Sequence, residues 1–111
     1  MSLQRSPVVA LGGGHGLASS LRALVLAGTC PLGVVSVADD GGSSGRLRKD
    51  FGFEPPGDVR KCLVALTQYE SIWTSVFNYR FPTGELAGHS LGNLIIAGLT
   101  EVTGNFGKAI Q

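Results

Sequence analysis

A chain of 111 residues with 43% hydrophobic content is long enough for one domain with a real core. Nine basic and eight acidic side chains leave a formal charge of +1, which excludes the one-signed field that recruits nucleic acid or an anionic membrane. No apolar run approaches the ~20 residues of a membrane span, and the opening "MSLQRS" lacks the apolar core of a secretory signal, so a cytoplasmic protein is expected.

Residues 1–6 read as a tail or a cloning remnant, and residues 7–111 as the N-terminal part of a nucleotide-binding domain. "PVVAL", residues 7–11, is a short β-branched and apolar run that ends on Gly12, the pattern of a strand buried on both faces. Leu17, Leu21, Leu24 and Val25 then follow the spacing of one helical face, with Gly28 and Pro31 as the stop signal. "GVVSVA", residues 33–38, predicts a second buried strand, which makes a right-handed βαβ unit. Val59, Cys62, Leu63 and Leu66 predict a further helix with Asp58 as its N-cap after "PPG". The aromatic stretch 71–81 reads as another helix. Leu91, Leu94, Ile95, Gly98 and Leu99 define the face of a last one, ended by Gly104.

Two parallel strands and four helices cannot cover both faces and both edges of a sheet. The expected fold is therefore α/β, a Rossmann-like parallel sheet present as an N-terminal portion, β-α-β followed by helices. Another segment or subunit would complete it, and a homo-oligomer is one way to do so. Cys30 and Cys62 do not have the spacing of a redox pair and, with His15 and His89 the only histidines, make no metal set; they read as reduced, buried thiols.

The 17 glycines cluster at element junctions. In "GGGHG", residues 12–16, they let the backbone turn sharply and approach a ligand in front of a helix N-terminus, which suits a phosphate or diphosphate. Gly12, Gly14 and Leu17 occupy the three places of GxGxxG, so the dinucleotide fingerprint fails at its last glycine and an ordinary NAD-binding domain is disfavoured. Gly12, Gly13, Gly14, His15 and Gly16 are candidate ligand-binding residues; a tight turn is the plainer alternative.

"ADDGGSSGRLRKD", residues 38–50, follows the second strand. Ten of the 17 charged residues lie between Asp39 and Lys61, five of each sign, which a solvated turn could also explain. The two carboxylates nevertheless end a buried strand on the same edge as the glycine loop. Asp39 and Asp40 are thus candidates for a sugar hydroxyl or a Mg²⁺ ion, and Arg46 for a phosphate, with Ser43 and Ser44 between them. Asp58 is a helix cap or a ligand group.

"GHSLGN", residues 88–93, contains GxSxG in Gly88, Ser90 and Gly92, but no strand precedes it and no histidine follows Ser90, so the nucleophile elbow of a hydrolase is disfavoured. His89 and Asn93 are four residues apart at a helix start and are read as a ligand-facing pair, or as packing residues. Three of the four glycine-bearing starts are expected to lie on one edge, at the C-terminal side of the strands, where open α/β folds bind ligands.

Together "VVALGGGHGL", "VVSVADDGGSSGRLRKDFG", "PPGDVRKCLVAL" and "GELAGHSLGNLIIAGLTEVTG" resemble the CofD/YvcK family, and specifically its YvcK branch. The resemblance runs from Pro7 to Ile110 and implies a Rossmann-like core belonging to longer proteins. For the YvcK branch, the gluconeogenesis factors, it implies a UDP-sugar-binding regulator, with UDP-GlcNAc as a ligand and links to central carbon metabolism, cell shape and wall synthesis. For the CofD branch it implies transfer of a phospholactyl group from a guanosine diphosphate donor to the deazaflavin Fo, with Mg²⁺. "GGSSGRLRKDFGFEPPGDVRK" and the pair Gly92–Asn93 depart from the transferase pattern and favour the regulator. On either reading the implied partner is a nucleotide-sugar or another nucleotide diphosphate, lined by Gly12 to Gly16, with Asp39 or Asp40 in the pocket and Asn93 approaching from the last helix.

Overall fold

The computed structural model describes residues 7–36, 57–68 and 70–111. Strand β1 (Pro7–Gly12) pairs in parallel with β2 (Cys30–Val35), Val9 opposite Leu32 and Leu11 opposite Val34. Helix α1 (Gly14–Leu26) makes the crossover between them. The α/β class and the β-α-β order therefore stand as expected. Helix α2 (Gly57–Ala65) packs along α1, and α3 (Ile72–Asn78), α4 (Leu91–Thr103) and α5 (Phe106–Ala109) complete the described elements. None of the described helices is long and apolar enough to cross a membrane.

The core lies between the sheet and the first two helices. Leu17 and Leu21 of α1 meet Cys62 and Ala65 of α2, with Ala10, Ala18, Val35 and Leu66 packed at the margin. Leu21 sits so close to β2 that a Cβ on Gly33 would lie 3.0 Å from its Cδ1, so Gly33 sets how near the helix lies to the strand. Losing the Leu21 side chain would cost about 2–5 kcal/mol.

Several boundaries differ from the sequence expectations, each for a physical reason. The second strand begins at Cys30 rather than residue 33, because a proline is tolerated near the first residue of a strand. Helix α1 starts at Gly14, three residues before its first core leucine. Asp58 lies inside the first turn of α2 rather than at its cap. Cys62 is buried as expected, but Cys30 is exposed at the first residue of β2. Five helices are described where four were expected, since Asn105 caps a short extra one by accepting a bond from the Lys108 amide.

The aromatic helix is shorter than residues 71–81. Ser71 opens it with a capping box shared with Thr74. After Asn78 the backbone extends at Tyr79 and pairs with the chain ahead of α4: the Leu91 amide donates to Tyr79 and the Phe81 amide to His89, around an antiparallel bridge between Arg80 and Ser90. These backbone bonds across ten residues outweigh the helical propensity of the segment. The strands are also not buried on both faces. Their second face carries Val9, Leu11, Leu32 and Val34 in the open.

Candidate functional site

The end of β1 and the end of β2 are tied together by a bond from the Ser36 amide to the Gly12 carbonyl, 2.7 Å. Gly12 holds φ 153°, a value that side-chain-bearing residues rarely adopt, and the chain turns there into α1. Gly13 is the N-cap of α1 and contributes no capping side chain. Among the described residues no side chain therefore caps the first-turn amides of α1 and the positive end of its dipole. Gly14 and His15 follow in that turn, with His15 exposed.

Asp58 reaches the loop from α2. A Cβ placed on Gly13 would lie 3.2 Å from its Oδ2 and 3.4 Å from the Ser36 Cβ, so Gly13, Ser36 and Asp58 meet at one point. Asp58 is buried, and Lys61 Nζ lies 3.9 Å from its Oδ1. A carboxylate in this place is stabilised by the amino ends of two helices and by the lysine. It accepts hydrogen bonds from hydroxyl or amine donors.

Gly16 differs from its neighbours. Among the described residues a Cβ added there meets nothing within 4 Å, and its backbone is helical. Neither the packing of the described residues nor its conformation requires glycine, yet glycine in a helix costs up to about 1 kcal/mol relative to alanine. From His15 a cleft of about 810 Å³ runs between α1, α2 and α3, with Lys61, Arg22 and Glu70 among its lining groups. Arg22 is anchored on it by a bond from Nη1 to the Thr67 carbonyl.

A second polar cluster joins α2 to α4. The Arg60 guanidinium is buried and donates from Nε to Asn93 Oδ1 at 2.9 Å and from Nη1 to Asn78 Oδ1 at 2.6 Å. Burial, and then the charge of Arg80, pull its pKa below the ordinary arginine value. Asn93 is 1% exposed. Gly92 accommodates this packing, because a Cβ there would stand 2.5 Å from the Phe77 carbonyl oxygen and 2.8 Å from Arg60 Cδ.

Ser90 is fully buried and caps α4. Its Oγ donates to the Phe77 carbonyl and accepts from the Asn93 amide. Gly88 has φ 80° and makes the turn before it. Each member of the GxSxG pattern thus has a structural task, and the hydroxyl is spent on two backbone partners. His89 is buried but precedes the cap, so it does not share a helical face with Asn93 as the spacing suggested. Its carbonyl accepts from Phe81.

The starts of α1, α2 and α4 accordingly lie near one another: a Cβ on Gly13 would come within 3.2 Å of Asp58, and Arg60 two residues on bonds to Asn93 and would crowd a Cβ on Gly92. Of the candidate residues, Gly12, Gly13 and Asp58 come together at the loop, with Gly14, His15 and Gly16 in the turn beside them. Asn93 and His89 lie buried at the α4 end of the line. Asp39, Asp40, Ser43, Ser44 and Arg46 lie outside the described residues. Among the described residues no three histidine, cysteine or acidic side chains gather as a metal set. Ser36, Lys61 and Arg60 were not singled out from sequence. Their signal was weak, since only Asp58–Lys61, three residues apart on one helix, is local.

Comparison with known proteins now bears on this geometry. The family model described as 2-phospho-L-lactate transferase CofD matches residues 8–111. The gluconeogenesis factor of Halalkalibacterium halodurans is 50% identical over 110 residues, covering 98% of this chain and 34% of that protein. The gluconeogenesis factor of Bacillus subtilis is 46% identical over 108 residues, covering 96% of this chain and 34% of its own length. A crystal structure of a Bacillus halodurans protein superposes with a TM-score of 0.88 at 50% identity, over 97% of this chain and 35% of that one. This chain thus spans about a third of the length of the relatives it matches. With a family model matched from Val8 to the last residue and close relatives that share one name, the chain belongs to the CofD family, on the side of the gluconeogenesis factors.

Proposed function

We propose that the chain carries the diphosphate-binding part of a cytoplasmic, UDP-sugar-binding regulator of the gluconeogenesis-factor type, with UDP-GlcNAc as the ligand to test first. The observation that carries the reading is Gly16, a helical glycine with no atom of the described residues within 4 Å of its missing Cβ, next to an α1 terminus that no side chain among the described residues caps. A diphosphate laid over Gly13 to Gly16 would take the α1 amides, with Lys61, which lines the adjoining cleft, to balance its charge and His15 within the same lining as a hydrogen-bonding group. Asp58 would repel phosphate and so serves a different part of the ligand, accepting from a sugar or ribose hydroxyl beside the anion. Asp39 and Asp40 follow β2 and are proposed for the same role, or for Mg²⁺ if the diphosphate brings one. The relatives' shared name supports a regulatory role in central carbon metabolism.

A second reading, phospholactyl transfer to Fo, is favoured by the description of the family model alone. Titration of the full-length protein that carries this chain with UDP-GlcNAc, GDP, Fo and NAD, each with and without Mg²⁺, separates the two. The regulator binds UDP-GlcNAc and turns nothing over. Fo binding with consumption of a phospholactyl donor would replace it by the transferase, and preference for NAD would overturn both.

A further inference from the structure

Two buried charged side chains leave the first turn of α2 in different directions. Asp58, 9% exposed, reaches the α1 loop, where its Oδ2 would stand 3.2 Å from a Cβ on Gly13. Arg60, 4% exposed, reaches α3 and α4. Two positions on a helix are a rotation of about 200°, so the two side chains hold the same turn from nearly opposite sides.

Packing alone does not call for a charge in the place of Arg60. Its acceptors, Asn93 Oδ1 at 2.9 Å and Asn78 Oδ1 at 2.6 Å, are neutral amides, and the charge of Arg80 opposes it. An apolar side chain of similar size would fill the space with less loss of solvation. It would not fix direction. A guanidinium grips its acceptors in a rigid planar fork, and here one acceptor is on the last residue of α3 and the other in the first turn of α4. The grip therefore sets where the start of α2 stands relative to the α1 loop.

We infer that Arg60 is a positioning residue for the candidate nucleotide site, acting through Asp58, on the reading that a diphosphate ligand binds at the α1 start. Asp58 accepts from a ligand hydroxyl only when it is held against Gly13 and Ser36, and a recognition group displaced by more than about 0.5 Å loses its geometry. Arg60 makes no ligand contact of its own in this assignment.

The test is a double-mutant cycle on UDP-GlcNAc affinity in the full-length protein, by calorimetric titration well below the unfolding temperature of every variant. Arg60→Lys keeps the positive charge but not the two-acceptor fork, and should weaken binding about tenfold. Asp58→Ala should weaken it at least as much. The double variant should bind no worse than Asp58→Ala alone, because the effect of Arg60 passes through that carboxylate. Asn78→Ala removes one acceptor of the fork and should repeat the pattern with a smaller loss, which keeps the test decisive if Arg60→Lys does not fold. A merely structural Arg60 would lower thermal stability in Arg60→Lys while affinity stays at the parental value, or would add its loss in full to that of Asp58→Ala. Either result overturns the inference and leaves the nucleotide site standing, as does an Asp58→Ala protein that binds like the parent. A parent protein that does not bind UDP-GlcNAc overturns the proposed function, and the inference with it.

Discussion

Asn93 occupies a helix start, which is where a ligand-binding side chain would be sought, yet its amide oxygen is taken by Arg60 and it is almost wholly enclosed. Removing it leaves a buried guanidinium short of an acceptor. Asn93→Ala should therefore cost about 1–3 kcal/mol in urea unfolding, with any loss of ligand affinity following from displaced α4. Unchanged stability with reduced affinity would instead make Asn93 a ligand contact. Cys62 offers a pH handle. Burial raises its thiol pKa, the Asp58 charge adds to this, and Lys61 opposes it. The thiol ionises more readily in the unfolded chain, so its contribution to stability is complete below the ordinary value of 9.0 and is lost as the pH climbs from there toward the folded pKa. Unfolding free energy should decline above that point, and Cys62→Ala should flatten the decline even though it lowers stability at neutral pH. An unaltered alkaline slope would mean that another group titrates. Single residues were only partly legible in the sequence. Asn93 stood out by position, but its partner lies 33 residues away, and a pairing over that distance leaves no local pattern.

The elements themselves were legible wherever a cap and a periodic apolar face agree. Gly104 closes α4 in the left-handed conformation, φ 72°, as its place after the last apolar residue suggests. Where tertiary pairing competes with propensity, as at Tyr79 to Phe81, the sequence signal misleads. The start of α4 rests on two small residues that serve different ends. Ser90→Ala removes the cap and should cost about 0.5–2 kcal/mol. Gly92→Ala drives a methyl group into the Phe77 carbonyl and Arg60, and should cost about 1–3 kcal/mol while separating α3 from α4. Both are read by thermal unfolding, and neither should remove a chemical step. A Ser90→Ala variant with intact stability and abolished turnover would restore the hydrolase alternative.

At the scale of the molecule, the shortage of strands was visible from the element count, and the four exposed aliphatic residues are its physical form. What the sequence could not convey is which glycines serve the fold and which serve a ligand, because "GGGHG" looks uniform until the surroundings of each missing Cβ are known. A Cβ on Gly13 would crowd Asp58 and Ser36, whereas one on Gly16 would meet nothing within 4 Å among the described residues. Gly98 in α4 is equally open and far along its helix from the candidate site, which makes it the matched control. The most direct measurement is therefore a paired determination of stability and UDP-GlcNAc affinity for Gly16→Ala and Gly98→Ala in the full-length protein. Both substitutions should raise stability, by up to about 1 kcal/mol. Only Gly16→Ala should lose affinity, by about tenfold or more, because its methyl group would stand where the proposed diphosphate is placed. A Gly16→Ala protein that is more stable and binds UDP-GlcNAc as well as the parent would contradict the account.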